Sequence, residues 1–129
     1  MSRIERFEDI EAWKKARELT KRIYEISDRG NLARDFGLKD QIKRSSISIM
    51  SNIAEGFERE GDNEFRQFLS IAKGSVGELK AQLYVALDAG LIAAEEFSGL
   101  MSLSDEISRL IAGFMRYLKH STHKGSKFK

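Results

Sequence analysis

Apolar residues recur along this chain at intervals of three and four in four separate stretches, the spacing that gathers them on one side of an α-helix. The first stretch, about Glu8 to Arg29, carries Ile10, Trp13, Ala16, Leu19, Ile23 and Ile26, and Gly30 stands where a left-handed C-terminal cap belongs. The second, about Phe36 to Arg59, carries Ile42, Ile49, Ile53 and Phe57, with Asp35 before it as a candidate N-cap. Gly61 and Asp62 then break the pattern in favour of a turn. The third, about Asn63 to Ala89, carries Phe65, Phe68, Leu69, Ala72, Val76, Leu79, Leu83, Ala86 and Leu87, and Gly90 ends it. The fourth, about Ala94 to Lys119, carries Phe97, Leu100, Met101, Ile107, Leu110, Ile111, Phe114 and Leu118.

Short connections between helices of this length predict an all-α, antiparallel, up-down-up-down four-helix bundle over residues 1–119, because a short loop cannot return the chain to the far end. Residues 120–129, HSTHKGSKFK, are polar and basic and read as a disordered tail. With 129 residues the chain fits one domain large enough to bury a core without metal or disulfide staples. It has no cysteine and no proline, which excludes disulfides and thiolate chemistry and fits long helices in a reducing compartment. No apolar run approaches the roughly 18 residues that span a bilayer, and the start MSRIERFEDIE lacks a signal peptide's apolar core. A cytoplasmic protein without a membrane segment is the expectation.

The net charge of +2 hides a division. Residues 1–54 carry 12 Lys/Arg against 9 Asp/Glu, residues 55–115 carry 5 against 11, and residues 116–129 carry 5 against none. Lys14, Lys15, Arg17, Lys21 and Arg22 cover part of the first helix, Lys39, Lys43 and Arg44 the start of the second, and Arg116, Lys119 and Lys124 belong to the basic end. These eleven residues are the candidates for phosphate contact, which needs many cations on one surface. The competing reading is an ordinary solvated face, since Glu11, Glu18 and Glu25 are interleaved with the first group.

The second helix carries a further row, Gln41, Ser45, Ser48, Asn52 and Glu55, beside its apolar stripe. Asn52 and Glu55 lie three apart and can reach one partner, while Gly56 lets a backbone or a large ring approach closely. A polar network joining helices or subunits, with Lys43, Arg44 or Arg59 as cationic partners, is one reading, and a ligand or active site is the other. Buried polar side chains usually serve to satisfy hydrogen bonds, which favours the network. Enzyme chemistry finds little to build on. A di-iron bundle needs Glu-x-x-His pairs, and the only histidines are His120 and His123 in the tail. Glu55-x-x-Glu58 has the first spacing of a magnesium carboxylate cluster, but the third helix offers Glu78 without a second acid three residues on. No phosphate loop, nucleophile elbow or Ser/His/Asp set is present. No catalytic residue, metal or cofactor is expected.

Phe7-Glu8-Asp9-Ile10-Glu11-Ala12-Trp13-Lys14-Lys15-Ala16, Phe36-Gly37-Leu38 with Gln41-Ile42-Lys43-Arg44, Ser51-Asn52-Ile53-Ala54-Glu55-Gly56-Phe57, and Glu64-Phe65 with Phe68-Leu69 and Glu78-Leu79 resemble the four-helix-bundle family of the 23S rRNA intervening-sequence proteins. The likeness covers roughly residues 7 to 91, and Ser51 to Gly56 is its most specific part. It implies a small bacterial protein, in a family some of whose members are encoded within insertions in 23S rRNA genes. A more distant likeness to the accessory proteins of diversity-generating retroelements implies a homo-oligomeric ring, a pentamer, with a nucleic-acid-related role or with a protein partner such as a reverse transcriptase. Two departures stand out. Met50 replaces a proline common in relatives, so the second helix should run straighter. Gly61 replaces a serine that would complete a capping box with Glu64, at an expected cost of a few tenths of a kcal/mol.

Two functions of different class follow: a noncatalytic oligomer that binds RNA or DNA through basic helix faces, or an oligomeric scaffold that docks a protein. Leu103, Leu110 and Tyr117 recur at spacing seven on the fourth helix and, with Tyr24 and Tyr84, are candidates for a subunit contact. They serve equally to widen the core of one copy.

Overall fold

The structure, a computed structural model, describes residues 4–120. Among these residues the fold is all-α, with four helices and no strand: α1 Glu11–Ser27, α2 Phe36–Glu58, α3 Asp62–Asp88 and α4 Ala94–Lys119. Of the tail expected to be disordered, everything after His120, including His123 and Lys124, lies outside the described residues.

The helices start and stop for identifiable reasons. Asp35 caps α2 with its carboxylate, which accepts the Leu38 N–H at 3.1 Å. At the start of α4 the Glu96 carboxylate reaches back to the Ala93 N–H at 3.1 Å, and its second oxygen meets Arg29 at 3.1 Å, so one side chain caps α4 and ties it to the end of α1. The first helix begins later than its periodicity predicts. Phe7–Asp9 form a 3₁₀ turn, closed by the Ile10 N–H on the Phe7 carbonyl, and Ile10 itself is extended at φ −75°, ψ 125°. This bend lets Ile10 be buried and sets the Phe7 ring edge-on against Trp13, with centroids 5.1 Å apart. Ile10 belongs to the apolar stripe but not to the helix.

Gly61 enters α3 at φ 86°, ψ 149°, a region almost reserved for glycine. The cost expected from a lost serine cap therefore has the wrong sign for this backbone. Gly61→Ser gains a capping oxygen but takes on the strain, and we expect a net loss of about 1 kcal/mol in unfolding free energy. Chemical denaturation of the variant checks this; a gain would show that the turn relaxes to an ordinary N-cap geometry.

All four helices contribute to one core. Leu19 and Ile23, Ile42, Ile49 and Ile53, Phe65, Leu69, Leu79 and Leu83, and Ile107 and Ile111 are shielded from solvent, each burial contributing about 1.5–3 kcal/mol. The most extensive packing is between α2 and α3. It is close because Gly56 has no side chain: a Cβ there would lie 2.6 Å from Phe65 Cδ1 and 2.7 Å from Phe68 Cβ. Phe65 also meets Phe57 and Phe114 edge-on, at 6.2 and 5.2 Å between centroids, so α2, α3 and α4 share one aromatic cluster. With no proline, α2 continues through Met50 as one helix. On α4, Leu103 is buried, and Leu110 and Tyr117 pack at the core's edge, lining with Ile10 and Phe114 a cavity of about 560 Å³.

Candidate nucleic-acid interface

Two neighbouring stripes run along α1 and α2 from the edge of the core outwards. Trp13, Arg17, Lys21 and Tyr24 follow one another on α1 at spacings of three and four, and Phe36, Lys39, Lys43 and Ile47 do so on α2. The helices are joined between these stripes. Thr20 Oγ1 donates chiefly to the Ala16 carbonyl of its own helix at 2.8 Å and lies 3.3 Å from the Ser46 carbonyl of α2, and the Lys43 ammonium lies over the Tyr24 ring, 4.5 Å from its centroid. Lys39 sits over Phe36 at 4.9 Å while donating to the Ala33 carbonyl at 3.1 Å, and the Arg17 guanidinium sits over Trp13 at 5.8 Å. Three cation and ring pairs thus lie on one surface, each worth about 0.5–1 kcal/mol when exposed. The rings are not hidden by them. Phe36 is 73% exposed and Tyr24 40%, and Ile47, further along α2, is 41% exposed.

The eleven basic candidates separate into groups. Lys15 meets Glu106 of α4 at 3.6 Å, Arg22 meets Glu18 at 3.1 Å, and Arg44 meets Asp40 at 2.7 Å. The hydrogen bond from Arg44 to Asp40, and then the Asp40 charge, raise the Arg44 pKa above its ordinary value. Lys14, Arg17, Lys21, Lys39 and Lys43 form no ion pair among the described residues and stand on the α1–α2 face. Arg116 and Lys119 also lack an ion pair among the described residues, but they sit at the end of α4. That end lies beside the start of α1, since Gly113, Phe114 and Tyr117 share a cavity with Glu11 and Ala12. Tyr24 is 13 residues further along α1 than Glu11, a distance of about 20 Å. Lys14 and Arg17 stand within two turns of Glu11 and so near that end, whereas Lys43, over Tyr24, stands at the far end of α1, and Lys124 lies outside the described residues.

The polar row of α2 faces α3 and does not act as one cluster. Asn52 donates to the Ser48 carbonyl at 2.8 Å and to Ser48 Oγ at 3.1 Å, and Ser48 and Ser75 share a hydrogen bond of 2.9 Å across the two helices. Glu55 turns to Arg59 at 2.9 Å, and Arg59 also meets Glu64 of α3 at 3.7 Å. Asn52 and Glu55 therefore have separate partners, because each finds a closer group on its own helix or its end, four residues away. Of the expected cationic partners only Arg59 is engaged with this row; Lys43 lies over Tyr24 and Arg44 pairs with Asp40. Gly56 is the place where Phe65 and Phe68 come close. Gln41, Ser45 and Ser48 of the row line a cavity with Arg44 and with Glu78 and Gln82 of α3. Among the described residues no three His, Asp or Glu side chains converge to hold a metal ion. No described helix is long and apolar enough to cross a membrane.

The sequence pattern singles out Tyr24, but as a subunit contact, and passes over Phe36 and Ile47. Their signal is a second stripe on α2 in which Phe36, Lys39, Lys43 and Ile47 combine ring, cation and apolar group at helical spacing.

Comparison with known proteins places the chain. A family described as 23S rRNA-intervening sequence protein matches residues 8–113. The chain is also similar to the crystal structure of a protein of unknown function from the S23 ribosomal protein family of Bacteroides thetaiotaomicron. The identity is 25%, the TM-score 0.76, and the match covers 81% of this chain and 95% of that one. No curated protein sequence matches.

Proposed function

The chain belongs to the family of 23S rRNA-intervening sequence proteins, and from that premise and the α1–α2 face we propose that it is a noncatalytic, cytoplasmic RNA- or DNA-binding protein, RNA being the first choice. One observation carries the reading: Lys14, Arg17, Lys21, Lys39 and Lys43 have no acidic partners among the described residues, while Lys15 and Arg22, on the side of α1 that meets α4, and Arg44, on the side of α2 that meets α3, are paired. Unneutralised cations on one surface are what a phosphate backbone meets with a gain in counterion entropy.

The proposal includes an antiparallel, up-down-up-down order of the helices. It is supported by partner numbers that fall on one helix as they rise on the next: Thr20 with Ser46 and Tyr24 with Lys43, Ser48 with Ser75 and Gly56 with Phe65, Tyr84 with Phe97 and Phe65 with Phe114. It also includes a homo-oligomer, five copies in a ring, that repeats the basic face around an axis and turns single weak contacts into avidity. A second reading, a scaffold that docks a protein, is favoured by Ile71 and Val85 on α3, which are 53% and 54% exposed.

Binding of a structured RNA and of duplex DNA across a salt series tests the reading, with the full chain compared with one ending at Leu118 and copy number taken from light scattering on the same samples. Affinity is expected to fall steeply as salt rises. Removing Lys119, Lys124, Lys127 and Lys129 is expected to make that slope shallower by up to about 3–4, near 0.7–0.9 for each phosphate no longer neutralised. No binding at low salt would remove the reading and leave the scaffold in its place.

A further inference from the structure

We infer that the α1–α2 face takes unpaired nucleotides, stacking bases on Phe36 and Tyr24 while Lys39, Lys43, Lys21 and Arg17 hold the phosphates of a single strand. The inference rests on the nucleic-acid reading above and narrows it to a ligand form. Its starting point is the pairing of exposed rings with ammonium groups. Phe36 is the most exposed of the large apolar side chains among the described residues. It is not drawn into the core, and the Lys39 ammonium stands over its face at 4.9 Å. Tyr24 is in the same situation beneath Lys43, at 4.5 Å.

A nucleotide carries the complementary pair, a flat π-face and an anion joined by a short sugar linkage. A base that takes the ammonium's place over either ring would leave its phosphate within reach of the displaced ammonium, which exchanges a ring for an anion. Lys43 comes from α2 and Tyr24 from α1, so the two helices share one such station, and Phe36 with Lys39 makes a second. The stations lie about seven residues apart along α2, which is about 10 Å and spans about three stacked bases at 3.4 Å each. Arg17 and Lys21 extend the cationic track along α1 towards Trp13, which also carries a cation over its ring.

A duplex cannot use this surface in the same way. Its bases are stacked inside and show their edges, whereas Phe36 and Tyr24 offer faces on two helix surfaces and no segment that reaches into a groove. Single strands expose the π-face of every base, so stacking platforms lined by cations bind them with little sequence preference. Nothing on the face distinguishes ribose from deoxyribose, and both chemistries are tested.

Fluorescence anisotropy of labelled U12, of dT12 and of a blunt RNA hairpin, each with the full chain at fixed salt, is the experiment. The variants are Phe36→Leu and Tyr24→Leu, which keep apolar bulk but remove the ring, and Tyr24→Phe, which keeps it. Both positions are exposed enough that folding is not at stake, and circular dichroism confirms it. Each leucine variant is expected to weaken binding of the single strands about tenfold, a typical value for one base–aromatic stack. The salt slope should not change, the hairpin affinity should not change, and Tyr24→Phe should bind like the parent. Equal losses for hairpin and single strands, or single-strand binding indifferent to both leucine variants, overturns the stacking site while leaving the basic face standing. Failure of the parent chain to bind any of the three probes overturns both.

Discussion

Gly56→Ala is expected to lower the free energy of unfolding by about 2 kcal/mol, with a fall in Tm of about 8 °C, although the same change in an open helix would raise stability by about 1 kcal/mol. The sign is set by α3. The new methyl would meet Phe65 Cδ1 at 2.6 Å and Phe68 Cβ at 2.7 Å, and neither can swing aside. Phe68 Cβ is fixed to its backbone, and the buried Phe65 ring is held edge-on by Phe57 and Phe114. The helices must separate locally or the aromatic cluster must repack, and interiors at this density give way only at a cost. A partner substitution identifies the cause. Phe65→Leu opens space beside position 56, so the pair Gly56→Ala and Phe65→Leu should cost about 1 kcal/mol less than the two changes added separately. Thermal and chemical unfolding of the four proteins checks both values; a neutral Gly56→Ala would mean that α2 and α3 do not approach this closely.

Replacing Lys21, Lys39 and Lys43 together with glutamine is expected to weaken binding of a single-stranded RNA about a hundredfold at about 0.1 M salt and to reduce the salt slope by about 2. Each phosphate neutralised on a single strand contributes about 0.7 to that slope, and three cations are removed. The comparison is the triple change of Lys15, Arg22 and Arg44 to glutamine, which removes the same formal charge. Those three already face Glu106, Glu18 and Asp40, so a polyanion gains less from them, and the loss should be no more than a few fold. Titrations of both variants across the same salt range decide between a defined face and a diffuse attraction. Equal effects would favour the diffuse one.

Much of this fold is legible in the residue pattern. Asp35 stands before α2 with the side chain that caps it, α4 runs over the residues its spacing marks, and Gly90 follows α3 with φ 72°. The start of α1 is not legible, because Ile10 continues the apolar period while its backbone is extended; burial, not helix membership, places it in the stripe. Charge shows the same limit. Arg22 with Glu18, Arg44 with Asp40 and Arg59 with Glu55 follow the i to i+4 rule and can be read along the chain. Lys15 with Glu106, Arg29 with Glu96 and Lys80 with Asp105 cannot, since only the packing of the fold brings these partners together. Of the basic candidates only Lys15 is taken by such a long-range pair, while Arg22 and Arg44 are taken by local ones. Phe36 is hidden for another reason: at the first position of a helix it belongs to no core stripe, and only its place beside Lys39, Lys43 and Tyr24 gives it meaning.

Ultraviolet crosslinking of bound single-stranded RNA, followed by mass spectrometric mapping of the modified peptides, tests the assignment of the α1–α2 face most directly, because light joins a base only to a side chain it touches. Adducts on the peptides that contain Tyr24 and Phe36 are the expected result. Adducts confined to α3 and α4 would contradict it.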